Sequence, residues 1–119
     1  MEGNTKIMRI ISGAFKGKKI SYTNFKNTRP LRDYVRENIF NIILHGKKIK
    51  FNLNKKIILD LYSGVGSFGI ECLSRNVDKV IFVEKDPNAL AVLKKNIDYL
   101  KITNKANIIS QSTEDYIKN

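Results

Sequence analysis

The sequence lacks most of the features that mark exported, disulfide-bonded or membrane-embedded proteins. It has one cysteine, so no disulfide forms within the chain, which agrees with a reducing compartment. No stretch approaches the roughly 18 to 20 consecutive apolar residues that a helix needs to cross a bilayer. The N-terminal sequence MEGNTKIMR also lacks the apolar core of a secretory signal. We therefore expect a cytoplasmic protein that makes no use of a membrane.

Acidic residues are scarce in the first half of the chain. A length of 119 residues with 42% apolar residues suffices for one domain at most. The formal net charge is +11, and residues 1–56 contain 14 Lys and Arg against 3 Asp and Glu, whereas residues 57–119 contain 8 of each. An AT-rich genome would raise the lysine content everywhere, but it does not explain this asymmetry. A basic half beside a neutral half is typical of proteins that bind nucleic acid, because displaced counterions supply affinity.

Two elements are predicted in the basic half. Residues 6–23 predict a β-hairpin, in which Gly13 and Gly17 permit the positive φ of a tight connection. Residues 30–46 predict a helix, because Leu31, Val35 and Ile39 recur at helical spacing. Seven of the 14 basic residues of this half are predicted to contact RNA phosphates, namely Arg9, Lys16, Lys18, Lys19, Arg29, Arg32 and Arg36. The alternative is a solvated turn followed by a helix surface on which acidic residues pair with the arginines.

Strands and helices alternate from residue 56 onward. Three apolar runs, within KIILDLYSG, KVIFVEKD and ANIISQS, are separated by the helical patterns FGIECLSR and PNALAVLKKNIDYL. This order predicts βαβ crossovers and a parallel sheet with helices on its faces. Asp86 followed by Pro87 predicts the N-cap and first residue of the second helix. Its inward residues are predicted to be Leu90, Leu93, Ile97 and Leu100.

A glycine-rich turn after the first of these strands is the candidate binding site. Gly64, Gly66 and Gly69 have G-x-G-x-x-G spacing, and Glu84 ends the next strand 20 residues after Gly64. Such a turn lets a ligand approach the backbone, and an acid at that position accepts ribose hydroxyls. Asp60 lies at the end of the first strand, where a carboxylate would repel a pyrophosphate but attract the ammonium and sulfonium of S-adenosylmethionine. This favours a methyl donor over NAD, although Asp60 also suits a role in holding the loop through backbone N–H groups.

Four segments of the sequence resemble the bacterial 16S ribosomal RNA guanine-N2 methyltransferases, the RsmD family. They are MRIISGAFKGKKI, NTRPLRDYVRENIFNII, ILDLYSGVGSFGIECLSR and VIFVEKD. The resemblance implies a Rossmann-like class I methyltransferase fold with an N-terminal β-hairpin and helix. Residues 1–50 would face RNA, and residues 51–119 would begin the S-adenosylmethionine-binding α/β domain. The implied reaction is methylation of the N2 amine of a guanine, with 16S ribosomal RNA or the small-subunit particle as the partner.

The resemblance also assigns cofactor-binding positions. The residues of the cofactor loop are Asp60, Tyr62, Ser63, Gly64 and Gly66. Glu84 matches the ribose-binding acid, Lys85 and Asp86 flank the adenine pocket, and Ser112 lies nearest the residue that meets the adenine amine. Ser112 is alternatively only a helix cap. Cys72, within the first helix of the α/β part, is expected to be a small buried thiol, and no metal site is expected.

The sequence has only two prolines, and they are not adjacent. The acid- or amide-Pro-Pro-aromatic loop that carries the chemistry in the resembled family is therefore absent from these 119 residues, and no catalytic residue is assigned. With about three of seven strands, the chain is expected to be inactive alone. Residues 57–61 are expected to form an exposed apolar edge, which invites aggregation or pairing with another chain. The chain would be either an incomplete gene product or one piece of a split enzyme whose partner supplies the remaining strands. The alternative functions are a non-catalytic RNA-binding module and half of an NAD-dependent oxidoreductase.

Overall fold

The computed structural model describes residues 5–23 and 53–118. The predicted helix at residues 30–46, and with it Arg29, Arg32 and Arg36, lies outside the described residues. The elements, in chain order, are β1 (Thr5–Arg9), β2 (Lys19–Thr23), β3 (Ile57–Leu61), α1 (Ser67–Ser74), β4 (Lys79–Glu84), α2 (Pro87–Leu100), a 3-10 turn (Thr103–Lys105), β5 (Ala106–Ser110) and α3 (Thr113–Lys118).

Strands β1 and β2 form the predicted antiparallel hairpin, in which Ile7 pairs with Ser21. The connection between them lies directly on the end of α1. A Cβ atom added to Gly13 would lie 1.9 Å from the carbonyl oxygen of Ser74, and Gly13 has a φ of 90°. Gly13 is therefore required both by the backbone conformation and by the close approach of another backbone.

Strands β3, β4 and β5 form a parallel sheet in that order, as the alternation of strands and helices predicted. Leu59 pairs with Ile81, and Ile81 pairs with Asn107. Because the strands are parallel, the residues that follow each of them meet at one edge of the sheet. That edge carries the turns that start at Asp60, Glu84 and Ser110.

The predicted inward face of α2 is confirmed. Its four apolar residues are at most 7% exposed and belong to one hydrophobic cluster with the fully buried Phe82 of β4. Met8, Ile10 and Ile20 of the hairpin belong to the same hydrophobic cluster. The hairpin and the α/β part thus share one core, and the predicted boundary near residue 50 lies outside the described residues.

Strand β3 lies at one edge of the sheet that the described strands form. Its Ile57 is 63% exposed and its Leu59 47% exposed, as the expected apolar edge requires. Within residues 5–23 and 53–118, none of the helices combines the length and the apolar character needed to traverse a bilayer.

Candidate cofactor site

A cavity of about 720 Å³ lies beyond the carboxyl ends of the three parallel strands. Its size is within the range of small-molecule sites in proteins, roughly 300 to 1,000 Å³. Three segments form its wall. They are residues 60–65, 67 and 68 at the end of β3 and in the turn after it, residues 83–87 from the end of β4 to the start of α2, and residues 111, 113 and 114 at the start of α3.

The turn after β3 has an unusual backbone. Tyr62, Gly64 and Gly66 all have positive φ, at 56°, 59° and 92°. Tyr62 is 72% exposed, so packing does not explain why a non-glycine residue adopts this conformation. Left-handed conformations of such residues cost on the order of 1 kcal/mol and cluster at functional sites. The turn therefore adopts a strained backbone conformation that shapes the cavity.

The glycines of the turn have different physical roles. Gly64 lines the cavity, where the backbone is open to a ligand. A Cβ added to Gly66 would lie 2.4 Å from Leu93 Cδ1, and one added to Gly69 would lie 2.3 Å from Phe82 Cε1. Gly66 is buried and is not among the lining residues, and its predicted contact with the cofactor stays a prediction. Gly66 and Gly69 thus serve close packing against α2 and β4.

Glu84 connects the turn after β3 to the turn after β4 through hydrogen bonds. Its Oε1 accepts a hydrogen bond from the Gly64 N–H at 2.8 Å, and its Oε2 accepts one from the Asp86 N–H at 2.9 Å. A carboxylate has about four lone-pair positions, so each oxygen keeps one for a further donor. Glu84 lines the cavity and is able to accept two ribose hydroxyls while it holds both turns in place.

Asp60 is the electrostatically distinctive residue of the cavity. It is 8% exposed, and its Oδ2 has no hydrogen-bond partner among the residues that the structure describes. Burial raises the pKa of Asp60 from 3.8 to about 6, against the lowering effect of the Gly69 N–H. An unpaired buried carboxylate oxygen is costly, and a cation placed beside it removes that cost. The cavity therefore fits a ligand with a positive charge near Asp60.

Ser63 holds the base of the turn. Its N–H donates to the Val83 carbonyl at 3.0 Å, and its hydroxyl donates to the main-chain oxygen of Asp60 at 2.5 Å. Lys85 also lines the cavity. Asp86 lines it too, and its Oδ2 caps α2 by accepting the Ala89 N–H at 2.8 Å, which confirms the predicted N-cap.

The segment at the start of α3 contributes three lining residues other than the predicted Ser112. Gln111, Thr113 and Glu114 line the cavity, whereas Ser112 is not among the lining residues. Ser112 Oγ instead accepts a hydrogen bond from the Asp115 N–H at 3.0 Å, as a helix cap does. Its contact with adenine stays a prediction. In the sequence, the amide side chain of Gln111, one residue before Ser112, was the feature that could have identified this part of the cavity wall.

The sequence model of the family described as Conserved hypothetical protein 95 matches residues 8–119. This chain belongs to that family. The predicted resemblance to the RsmD family is confirmed, since Ribosomal RNA small subunit methyltransferase D of Haemophilus influenzae is 37% identical over 112 residues, which cover 93% of this chain and 55% of the relative. Putative rRNA methyltransferase YlbH of Bacillus subtilis is 37% identical over 107 residues, 90% of this chain and 55% of the relative.

A solved structure gives the same result for the fold. The putative methyltransferase yhhF from Escherichia coli superposes with a TM-score of 0.80 at 26% identity, covering 94% of this chain and 56% of that one. The class I methyltransferase fold predicted for this RsmD-family chain is confirmed. The chain spans about half the length of the relatives that it matches.

The basic residues of the hairpin in this RsmD-family chain are exposed. Arg9 and Lys19 are direct cross-strand partners, and Lys16 and Lys18 lie in the connection. The phosphate contacts predicted for these four residues stay predictions.

Cys72 is buried in α1, as expected for an inert thiol. Its side chain is 1% exposed, and burial raises the pKa of the thiol to about 12. The thiolate, which is the reactive form, is therefore scarce at neutral pH.

Proposed function

We propose that this chain binds S-adenosylmethionine in the cavity beyond β3, β4 and β5, and that it belongs to an enzyme that methylates the N2 amine of a guanine in small-subunit ribosomal RNA. The names of its relatives support the methylation of small-subunit ribosomal RNA. The guanine N2 amine rests on the sequence motifs that resemble the RsmD family. The partner is 16S ribosomal RNA, either free or within the small-subunit particle.

One observation carries the cofactor assignment, namely the unpartnered and buried Oδ2 of Asp60 beside the glycine turn. The cofactor's methionine part carries an ammonium group, which would pair with this carboxylate. NAD would instead bring a pyrophosphate toward the same turn, and the negative charge of Asp60 opposes that arrangement. The chemistry of this acid thus separates two cofactors that a glycine turn alone does not distinguish.

The other cavity residues fit the remaining parts of the cofactor. Glu84 has two free lone-pair positions for the ribose hydroxyls. Lys85, Asp86 and Gln111 line the cavity and are the proposed neighbours of the adenine. When bound, S-adenosylmethionine supplies an electrophilic methyl group. The contribution of this chain is to bind and orient the cofactor.

We propose further that residues 1–119 by themselves bind cofactor without transferring methyl groups. These residues contain no pair of adjacent prolines, so they lack the loop that positions the guanine amine in the resembled family. The exposed apolar side chains of β3 suit pairing with a further strand, from the same protein or from a second chain.

Isothermal titration calorimetry with S-adenosylhomocysteine tests the cofactor assignment. Wild-type protein should bind S-adenosylhomocysteine, and Asp60→Asn and Glu84→Gln should each weaken binding at least tenfold, the effect of about 1.4 kcal/mol. Asp78→Asn is the matched control, because Asp78 is exposed and lies outside the cavity wall. Absence of uptake by a folded protein, or competition by NAD, would overturn the assignment. RNA binding without uptake would favour a non-catalytic RNA-binding module.

The salt dependence of the affinity for RNA tests the proposed partner. If the hairpin lysines contact phosphates, the affinity for 16S ribosomal RNA should fall steeply with salt. Neutralising Lys16, Lys18 or Lys19 singly should flatten the log–log slope by about one unit each. The same measurement on Arg29, Arg32 and Arg36 tests the predicted phosphate contacts of those residues. A slope that none of these changes alters would assign the basic residues to solvated surface.

A further inference from the structure

One buried side chain joins the basic hairpin to the glycine turn. Asn96, in the middle of α2, is 2% exposed. Its Oδ1 accepts a hydrogen bond from the Ser21 N–H at 2.8 Å, and its Nδ2 donates to the Ser21 carbonyl at 2.8 Å. The same Nδ2 donates to the Val65 carbonyl at 3.1 Å. Asn96 therefore bridges β2 and the cavity turn, which are more than 40 residues apart in sequence.

The side-chain amide of Asn96 bonds to β2 in the way that the backbone of a neighbouring strand would. Both main-chain polar groups of Ser21 point to the amide of Asn96, so they face away from β1, at the edge of β2 that no other described strand pairs with. An amide side chain has the same donor and acceptor arrangement as a peptide group, and it satisfies that edge as a neighbouring strand would. The position of β2 is thus tied to the position of Asn96.

The contact with Val65 fixes a peptide that the backbone alone leaves free. Val65 lies between Gly64 and Gly66, which both have positive φ. Glycine tolerates many conformations, so local sterics do not set the orientation of the Val65–Gly66 peptide. Its carbonyl is held by Asn96, and its N–H donates to the Ser63 carbonyl at 3.0 Å. Because the peptide is planar, releasing its carbonyl also weakens the other hydrogen bond of the turn.

The hairpin has a second attachment that does not reach the turn. At its connecting loop, Ser74 Oγ accepts the Phe15 N–H at 3.0 Å and donates to the Ser12 carbonyl at 2.5 Å. Neither Ser74 nor the loop lines the cofactor cavity. The two attachments are therefore separable, and they provide a matched pair of variants.

We propose that Asn96 is a positioning residue that couples RNA binding on the hairpin to cofactor binding in the turn. RNA that holds the hairpin against α2 keeps the amide of Asn96 in place, and the amide keeps the Val65 carbonyl in its binding orientation. A cofactor that requires this orientation stabilises the hairpin in return, because binding linkage is reciprocal. This inference rests on the proposed function, since it needs both ligands.

Calorimetry of the 119-residue chain with S-adenosylhomocysteine, with and without saturating 16S ribosomal RNA, tests the coupling. In wild-type protein, RNA should tighten S-adenosylhomocysteine binding at least about fivefold. Asn96→Leu, which has similar size and lacks hydrogen bonds, should reduce that factor to about one. Ser74→Ala should loosen the hairpin loop and keep the wild-type factor. The proposal would be overturned if RNA tightened S-adenosylhomocysteine binding by the same factor in wild type and Asn96→Leu. It would also be overturned if Asn96→Leu and Ser74→Ala reduced that factor equally.

Amide hydrogen exchange of the wild-type chain supplies a measurement that needs no variant. S-adenosylhomocysteine alone should slow exchange of the Ser21 N–H, and RNA alone should slow exchange of the Gly66 N–H. Unchanged exchange at both amides while both ligands bind would also overturn the proposal. If wild-type protein binds no S-adenosylhomocysteine, the proposed function fails instead, which is a distinct result.

Discussion

Asp60→Asn should make the ligand-free protein more stable while it weakens ligand binding. The variant replaces the buried carboxylate with an amide of the same size. Burial raises the pKa of Asp60 from 3.8 to about 6, so the folded chain binds this proton more tightly than the unfolded chain. Wild-type stability therefore falls as the pH rises from about 4 to about 6, and the full cost of ionising Asp60 is present above that range.

The magnitude follows from the size of the shift. A rise of about two pH units corresponds to about 3 kcal/mol of unfolding free energy above pH 6. The new amide brings buried donors of its own, which reduces the gain, so we expect Asp60→Asn to be about 1 to 3 kcal/mol more stable than wild type at pH 7.5. Well below pH 3.8, where Asp60 is protonated in both the folded and the unfolded chain, the difference should shrink by about that ionisation cost.

Urea denaturation at pH 5.0 and 7.5 measures the stability difference, and calorimetry measures binding. The affinity of wild-type protein for S-adenosylhomocysteine should fall as the pH drops below 6, by up to tenfold per unit, because the ammonium requires the ionised acid. Asp60→Asn should bind weakly at all these pH values, and Asp78→Asn should match wild type. The reasoning is refuted if Asp60→Asn is less stable than wild type at pH 7.5, or if its binding is unaltered.

Three further predictions concern packing and burial. Gly69→Ala should lower the free energy of unfolding, measured by urea denaturation, by about 3 kcal/mol or more, because the new Cβ would lie 2.3 Å from the Phe82 ring. Gly17→Ala is the control, because a Cβ there meets open space, and it should lower the free energy of unfolding by only about 1 kcal/mol. Glu71→Gln should lower the free energy of unfolding by about 2 to 4 kcal/mol and speed proteolysis of the hairpin, because the buried carboxylate of Glu71 accepts hydrogen bonds from the Ile11 and Ser12 N–H groups. An unaltered rate of cleavage would contradict this prediction. Cys72 should react with a thiol reagent only on unfolding, and rapid labelling of native protein would contradict its burial.

Local sequence determined the order of the elements and the position of the site. Apolar runs separated by helical patterns predicted the parallel sheet, and Asp86 with Pro87 predicted the start of α2, because strand periodicity and helix caps are local properties. Asp60, Gly64 and Glu84 were found because a glycine turn and an acid at the end of the next strand follow a fixed spacing along the chain.

Only the tertiary structure decided what the remaining residues touch. Asn96 reads in the sequence as an ordinary polar residue of a helix, and its bridge from Ser21 to Val65 depends on where the hairpin packs. The burial of Gly66 against α2, and the placement of Gln111 in the cavity wall, likewise depend on how separate segments approach each other. Contacts between residues far apart in sequence are set by packing, and packing has no local signature.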